Sequence, residues 1–218
     1  MMRPTKLSQH VFLELPPVLS HYLEGARNVW LESEPKEGRL TFLNRIGFFM
    51  DFEAAAVERR HLLEFLGWQR ARALCFRIGF EQGRRDAARH LNVFQQNVRL
   101  ALQAGPVFGQ LQGRYAADPI RFEYDLDSRT LYREIAFNEG LEGKAHKLVA
   151  GSLGECGCWN TTGYLSGHVS EIIGRRVLCL EVECMGKGDA RCRVVGRFEP
   201  EWGPEADWIR EAMKTGAF

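Results

Sequence analysis

Two periodicities divide this chain. In the first half apolar positions recur at helical spacing. Val11 to Leu31 carries Leu, Val and Tyr around the break at Pro16-Pro17 and predicts two short helices. Phe52 to Leu66 predicts a helix stopped by Gly67, and Trp68 to Leu91 a second amphipathic helix stacked on it as a helical hairpin. Val93 to Ala104 predicts a third, ended by Gly105-Pro106. One interruption breaks the helical half. From Arg39 to Asp51, apolar and aromatic residues flank Asn44-Arg45, the pattern of a β-hairpin.

Beyond Gly113 the period becomes alternating. Ile120–Asp125 and Thr130–Phe137, joined by residues 126–129, predict an antiparallel hairpin, and Glu142–Ala150 a helix. A helix from Trp159 to Ile173, stopped by Gly174, leads to strands Arg176–Val182 and Cys192–Phe198. Trp202, Trp208, Ile209 and Met213, set among charges, predict a short amphipathic helix that leans on another part of the molecule. The expected class is α+β. A helical N-terminal part with a β-hairpin (1–118) packs on a C-terminal antiparallel sheet with helices (119–199), and the start of a linker helix follows (200–218).

Composition narrows the partners. A chain of 218 residues, 45% hydrophobic, can bury a real core. Its formal net charge is +1 and its Lys and Arg residues are interspersed with acids, so no basic stripe for nucleic acid is present. No segment reaches the ~20 apolar residues needed to cross a bilayer, and the first residues do not form a secretory signal. A cytoplasmic location, with no membrane partner, is expected. In a reducing compartment the six cysteines point to metal binding or core packing rather than to disulfides. Cys75, in an apolar helical run, reads as a small buried hydrophobe.

Three of the remaining cysteines and one glutamate carry the main candidate chemistry. Cys158, Glu181, Cys184 and Cys192 would give one metal ion three soft thiolates and a carboxylate at tetrahedral corners, a closed structural site with no position for activating water. Glu181 and Cys184 would face opposite sides of a continuous strand, so sharing an ion requires the chain to begin turning near Glu183. Cys158 would tie the start of a helix, whose positive end favours a thiolate, to the sheet. Spacing alone leaves a second reading open, in which the cysteines are half-buried packing residues and Glu181 and Glu183 face solvent. Cys156 and Cys179 compete as ligands.

Other chemistry is less supported. The glycine-rich stretches lack a phosphate-binding context, and no G-x-S-x-G nucleophile motif occurs. Tyr164 and His168 share a helix face as a possible acid–base pair, but no third group is placed to orient them. His21, His61, His90 and His146 read as surface or capping residues. The chain is therefore expected not to be an enzyme.

The run Cys158-Trp159, Gly163-Tyr164, Gly167, Gly174-Arg175, Glu181-Val-Glu-Cys184, Gly188-Asp-Ala-Arg-Cys192 and Gly196 resembles the vinyl-4-reductase-type domain. More closely it resembles the sensor region of bacterial sigma-54-dependent activators that respond to phenols, toluene and xylenes. The likeness extends upstream through Phe80-Glu-Gln-Gly83-Arg-Arg-Asp86 and Ala104-Gly-Pro106 to Gly113. The resemblance implies structural Zn2+ on Cys158, Glu181, Cys184 and Cys192, beside a pocket for an aromatic effector. It also implies a homodimer that controls an adjoining AAA+ ATPase domain, a domain followed in full-length members by a helix-turn-helix. No Walker motif occurs up to Phe218, so this chain by itself is expected neither to hydrolyse ATP nor to recognise a promoter.

The resemblance also assigns a pocket wall: Leu102, Gly109, Ile135, Phe137, Tyr164, His168 and Cys179. In phenol-responsive members a His and a Trp hydrogen-bond the phenolic oxygen, and Gly109 and Phe137 stand at those positions here. Loss of both anchors implies a benzene- or toluene-like effector rather than phenol, because a buried hydroxyl left unpaired costs about 1–3 kcal/mol. Two further readings stay open: a tetrapyrrole-handling or enzymatic protein of the vinyl-reductase type, and a dimerisation scaffold without a ligand.

Overall fold

The computed structural model describes residues 31–37, 39–42, 45–47, 50–125, 130–151 and 154–214. The helices expected from Val11 lie outside these residues, except that Leu31 begins a strand. Strands β1 (Leu31–Glu34), β2 (Arg39–Phe42) and β3 (Arg45–Gly47) form an antiparallel sheet in that order. The hairpin read from the sequence is its β2–β3 pair, with Phe42 opposite Arg45.

Helix α1 (Phe52–Val93) starts where the Asp51 side chain accepts from the Ala54 amide, leaving one fewer unpaired donor in the first turn. It is broken at Gly67, whose φ of 70° and ψ of 168° lie outside helical space. The break falls where expected, but it is one residue, with no loop. The segment after it lies against α4 (Trp159–Ile173), and glycines set the approach. A Cβ at Gly83 would lie 2.1 Å from the Tyr164 carbonyl oxygen, and one at Gly163 would lie 2.1 Å from that of Phe76. Any side chain there would force the helices apart.

After a tight turn with positive φ at Gln95 and Gln96, Asn97 caps α2 (Val98–Leu111) by accepting from the Leu100 amide. This helix corrects the expectation of a stop at Gly105-Pro106. Proline removes one rung of the ladder, yet every residue from Ala101 to Gly109 is buried, so packing carries the helix past it. Gly105 is needed there because the His168 ring is so close that a Cβ would lie 2.7 Å from it.

The second sheet has the order β4-β5-β7-β6, formed by β4 (Ala116–Asp125), β5 (Thr130–Asn138), β6 (Val177–Glu183) and β7 (Cys192–Phe198), all antiparallel. Helix α3 (Leu141–Ala150) connects β5 toward α4. One core gathers Leu131, Ile135 and Phe137 of β5, Val177 and Cys179 of β6 and Val194 of β7 with Leu102, Tyr164 and Val169. A second joins Leu178, Leu180 and Val195 to Phe76, Phe80, Trp202 and Ile209.

The C-terminal helix α5 (Asp207–Lys214) is the amphipathic element the sequence implies. It leans on the domain itself. Trp202 donates its indole N–H to the Leu178 carbonyl at 3.0 Å, and the Trp208 ring meets Phe76 edge-on at 5.4 Å. Ile209 is fully buried, worth about 1.5–3 kcal/mol. Among the described residues no helix is long and apolar enough to cross a membrane.

Candidate functional site

Four elements deliver the metal candidates to one point. Cys158 stands at the N-terminal cap of α4, Glu181 near the end of β6, Cys184 in the following turn, and Cys192 opens β7. Their ligand atoms all lie within 4.8 Å of one another. The Cys158 Sγ is 3.4 Å from that of Cys192 and 4.0 Å from that of Cys184. A tetrahedron with metal–sulfur bonds of ~2.3 Å has edges of about 3.8 Å, so the thiols already stand at ligand spacing.

The strand-parity problem is resolved by a bulge. Glu181 pairs with Val194 but Glu183 with Arg193, leaving Val182 out of register and resetting the side to which Cys184 points. The expected turn near Glu183 is therefore preceded by a bulge one residue earlier. Beyond it the Cys184 carbonyl accepts from Lys187, Gly188 and Asp189, while its amide donates to the Asp189 carboxylate at 2.8 Å. This knot fixes the thiol.

Backbone donors complete the surroundings of the sulfurs. Gly157 N–H points at the Cys184 Sγ (3.3 Å) and Met185 N–H at that of Cys192 (3.4 Å). The Glu181 carboxylate accepts from Cys158 N–H through Oε2 (3.0 Å), while its buried Oε1 has no partner. That orphaned oxygen is the fourth ligand a cation would need. Burial raises the Glu181 carboxyl well above its ordinary range, and donation to Cys184 raises the Cys158 thiol. Thiol donors from Cys156, Cys158 and Cys192 hold Cys184 low. The group thus resists carrying several negative charges unless a cation balances them, as a divalent ion does. Gly143 keeps room beside it, since a Cβ there would lie 3.1 Å from the Cys192 Sγ and 3.3 Å from that of Cys158. These residues can hold one metal ion.

Helices α1 and α3 brace the cage. Glu142 accepts from the Asn160 and Thr161 amides, both at 2.8 Å, capping α4 from outside, and pairs with the buried Arg59 at 2.6 Å. The Arg59 guanidinium also lies 4.3 Å from the Trp159 ring. Cys156 and Cys179 are not in the cluster. Cys156 bonds the Glu181 carbonyl, and Cys179 lies opposite Gly196 in the core. Cys75 is buried, as expected.

Two histidines correct the sequence reading. His146 is fully buried between Trp68 and Trp159, with neither ring nitrogen bonded, and Gly157 and Gly186 make room for its ring. His90 is also buried, its Nδ1 lying 3.0 Å from the His168 Nε2. Apolar neighbours one helical turn away would have hinted at both. His61 is exposed beside Glu64, and His21 lies outside the described residues.

The seven residues of the implied pocket wall are all buried. Leu102, Ile135, Phe137, Tyr164 and Cys179 share one apolar cluster. Gly109 yields its space to Tyr115, since a Cβ there would lie 2.1 Å from the phenolic oxygen, and the Tyr115 ring stands 4.3 Å from that of Phe137. Tyr164 and His168 do stack, with centroids 5.9 Å apart, but their polar ends diverge. Tyr164 O–H donates to Asp86, which also meets Arg45 and Arg89, while His168 turns to His90. Nothing in this geometry makes them an acid–base pair.

Three polar residues escaped the sequence reading. Arg133 follows Leu131 and precedes Ile135 and Phe137 on the inner side of β5, so strand alternation marks it as buried. No carboxylate among the described residues pairs with it, and its Nη1 has no partner. A buried charge without a counterion costs several kcal/mol. Gln103 is buried with both amide atoms unpartnered, and so is the Tyr115 hydroxyl, whose pKa burial pushes up to about 12. Gln103 and Arg133 border one narrow cleft with Leu102, Phe122 and Ile135.

Comparison with known proteins agrees with this architecture. A family model described as an activator of aromatic catabolism matches residues 28–125, and that of the vinyl-4-reductase-type domain matches residues 141–198. The chain is 28% identical over 169 residues to the transcriptional regulatory protein XylR of Pseudomonas putida, covering 77% of this chain and 30% of that protein. It is 24% identical over 178 residues to the phenol regulator MopR of Acinetobacter guillouiae, covering 81% of this chain and 32% of the relative. It therefore spans about a third of the length of these curated relatives. The crystal structure of the phenol-responsive sensory domain of the transcription activator PoxR with phenol superposes with a TM-score of 0.78 at 25% identity, over 89% of this chain and 98% of that one. With its aromatic-catabolism module followed by a vinyl-4-reductase-type domain, the chain belongs to the family of aromatic-responsive sigma-54 activator sensor domains.

Proposed function

We propose that this chain is the effector-sensing domain of a transcription activator, binding a small aromatic compound among Leu102, Gly109, Ile135, Phe137, Tyr164, His168 and Cys179. What carries the reading is the likeness to a phenol-bound sensory domain over 98% of its length, coupled with a cage of four ligands beside the same core. The metal is zinc in this proposal. Three thiolates and one carboxylate suit its borderline softness, and a full set of protein ligands makes it structural rather than catalytic. The role is therefore that of a binding module and not of an enzyme.

Cys158 joins α4 to the β6–β7 hairpin, so the ion would hold one wall of the effector site against the sheet. Residues 1–118, 119–199 and 200–218 are proposed as sensor subdomain, zinc- and effector-binding subdomain and linker start. The first boundary crosses β4 and so divides roles rather than folding units. In a homodimer, effector binding would reach an AAA+ ATPase domain through the segment that begins with α5. Trp202 and Trp208 supply the physical contact from that segment to β6 and α1.

A ligand selective for the folded state must raise its melting midpoint. A thermal-shift panel of monosubstituted benzenes on the zinc-loaded chain is expected to give a saturable rise with at least one. A flat response across neutral, phenolic and anionic members would contradict the reading.

A further inference from the structure

The core beside the cage is apolar except for a group of polar atoms with nothing to bond. Arg133, Gln103, Tyr115 and His168 Nδ1 are all buried, and each leaves at least one polar atom unpartnered. They come from three different elements and the loop before β4, yet they face one region. Gln103 and Arg133 line the same cleft, Tyr115 abuts Gly109 and Phe137 of the proposed effector wall, and His168 lies against Gly105. The groups that act electrostatically on Arg133 are the neutral Cys179, Tyr115 and Tyr164, with His168 also within its field, and no acid is among them. Asp86, the nearest buried carboxylate to Tyr164, is already met by Arg45 and Arg89.

Resting on the sensor reading, we propose that the effector is an aromatic carboxylate, its ring held by Leu102, Ile135 and Phe137 and its anion by Arg133, Gln103 and Tyr115. The guanidinium fork matches two carboxylate oxygens, and an amide N–H2 and a phenol O–H can donate to the remaining lone pairs. A hydrocarbon would leave the guanidinium buried and uncompensated. A phenol brings one oxygen to a fork that accommodates two. This departs from the benzene- or toluene-like effector that the loss of the two polar anchors implies. The anchors at Gly109 and Phe137 are absent, but Tyr115 fills the space at Gly109 with a hydroxyl, and Arg133 lies two strand positions before Ile135.

The test is calorimetry with benzoate, toluene and phenol on the zinc-loaded chain, repeated on Arg133→Met and Gln103→Leu. The expected result is tightest binding of benzoate, weakened roughly 30- to 1,000-fold by Arg133→Met and by a smaller factor by Gln103→Leu. The ligand-free melting midpoint of Arg133→Met should stay level or rise, since a buried charge without a partner is removed. A fall in that midpoint, or loss of folding, would make Arg133 structural and overturn the proposal. Should toluene or phenol bind while benzoate does not, the anion inference fails and the sensor reading stands. If none of the three binds, both fail.

Discussion

The two ends of the C-terminal domain treat buried polarity in opposite ways. At the cage, almost every polar atom is spoken for. Amide donors reach the sulfurs, Glu142 caps α4 from outside, and one carboxylate oxygen remains for an ion. In the core beneath α2, a guanidinium, an amide and a phenol are buried with polar atoms unbonded. Folded proteins keep such groups rare, because each costs the desolvation it does not recover. A nearly complete shell with one opening specifies a small cation, whereas several unpaired groups from separate elements specify a larger molecule. The difference separates what holds the fold from what the fold is for.

The largest expected effect comes from opening the cage. Cys192→Ala should remove the bound metal and lower the melting midpoint by roughly 10 °C or more, since structural zinc energy is folding energy. Elemental analysis and thermal denaturation check it, and an unchanged midpoint in a metal-free variant would erase the contrast. Next is the helix contact that supports both ends. Gly83→Ala sets a methyl 2.1 Å from the Tyr164 carbonyl oxygen and should cost about 1–3 kcal/mol in chemical denaturation.

The histidine pair gives a pH signature of similar size. Burial lowers His90 to about 4 and holds His168 well below its ordinary value, so the unfolded chain binds more protons than the folded one in weak acid. Stability should therefore fall as pH drops from about 6.5 toward 4, by up to about 3 kcal/mol from His90. His90→Asn should flatten that limb in denaturant titrations from pH 7 to pH 4. The smallest effect is a control. Cys156→Ser loses one thiol bond to the Glu181 carbonyl and should keep the metal stoichiometry, with a stability change within about 1 kcal/mol. Loss of metal in that variant would place Cys156 among the ligands.

Much of the frame was legible because local signals and tertiary packing agree. Gly174 adopts the left-handed conformation that stops α4, and Gly67 breaks α1 where the apolar period pauses. The β6–β7 hairpin and the cage residues followed from alternation and ligand chemistry. What could not be read depends on long-range contacts. Helix α2 runs through Pro106 because its whole central stretch is buried, a fact no local propensity carries. The bulge at Val182 depends on pairing with β7, so parity alone left Glu181 and Cys184 on opposite sides. His90 and His146 were read as surface groups because the chains that bury them come from elsewhere. Arg133 was passed over because charge is taken for exposure, although its strand position placed it inward.

The central claim is that Cys158, Glu181, Cys184 and Cys192 enclose one zinc ion that holds α4 to the β6–β7 hairpin. X-ray absorption at the zinc edge of the freshly purified chain tests it most directly. One zinc per chain, bound by three sulfurs and one oxygen, is the expected result. A folded chain without a stoichiometric divalent ion, or a shell with a histidine nitrogen or a water in place of the carboxylate, would contradict it.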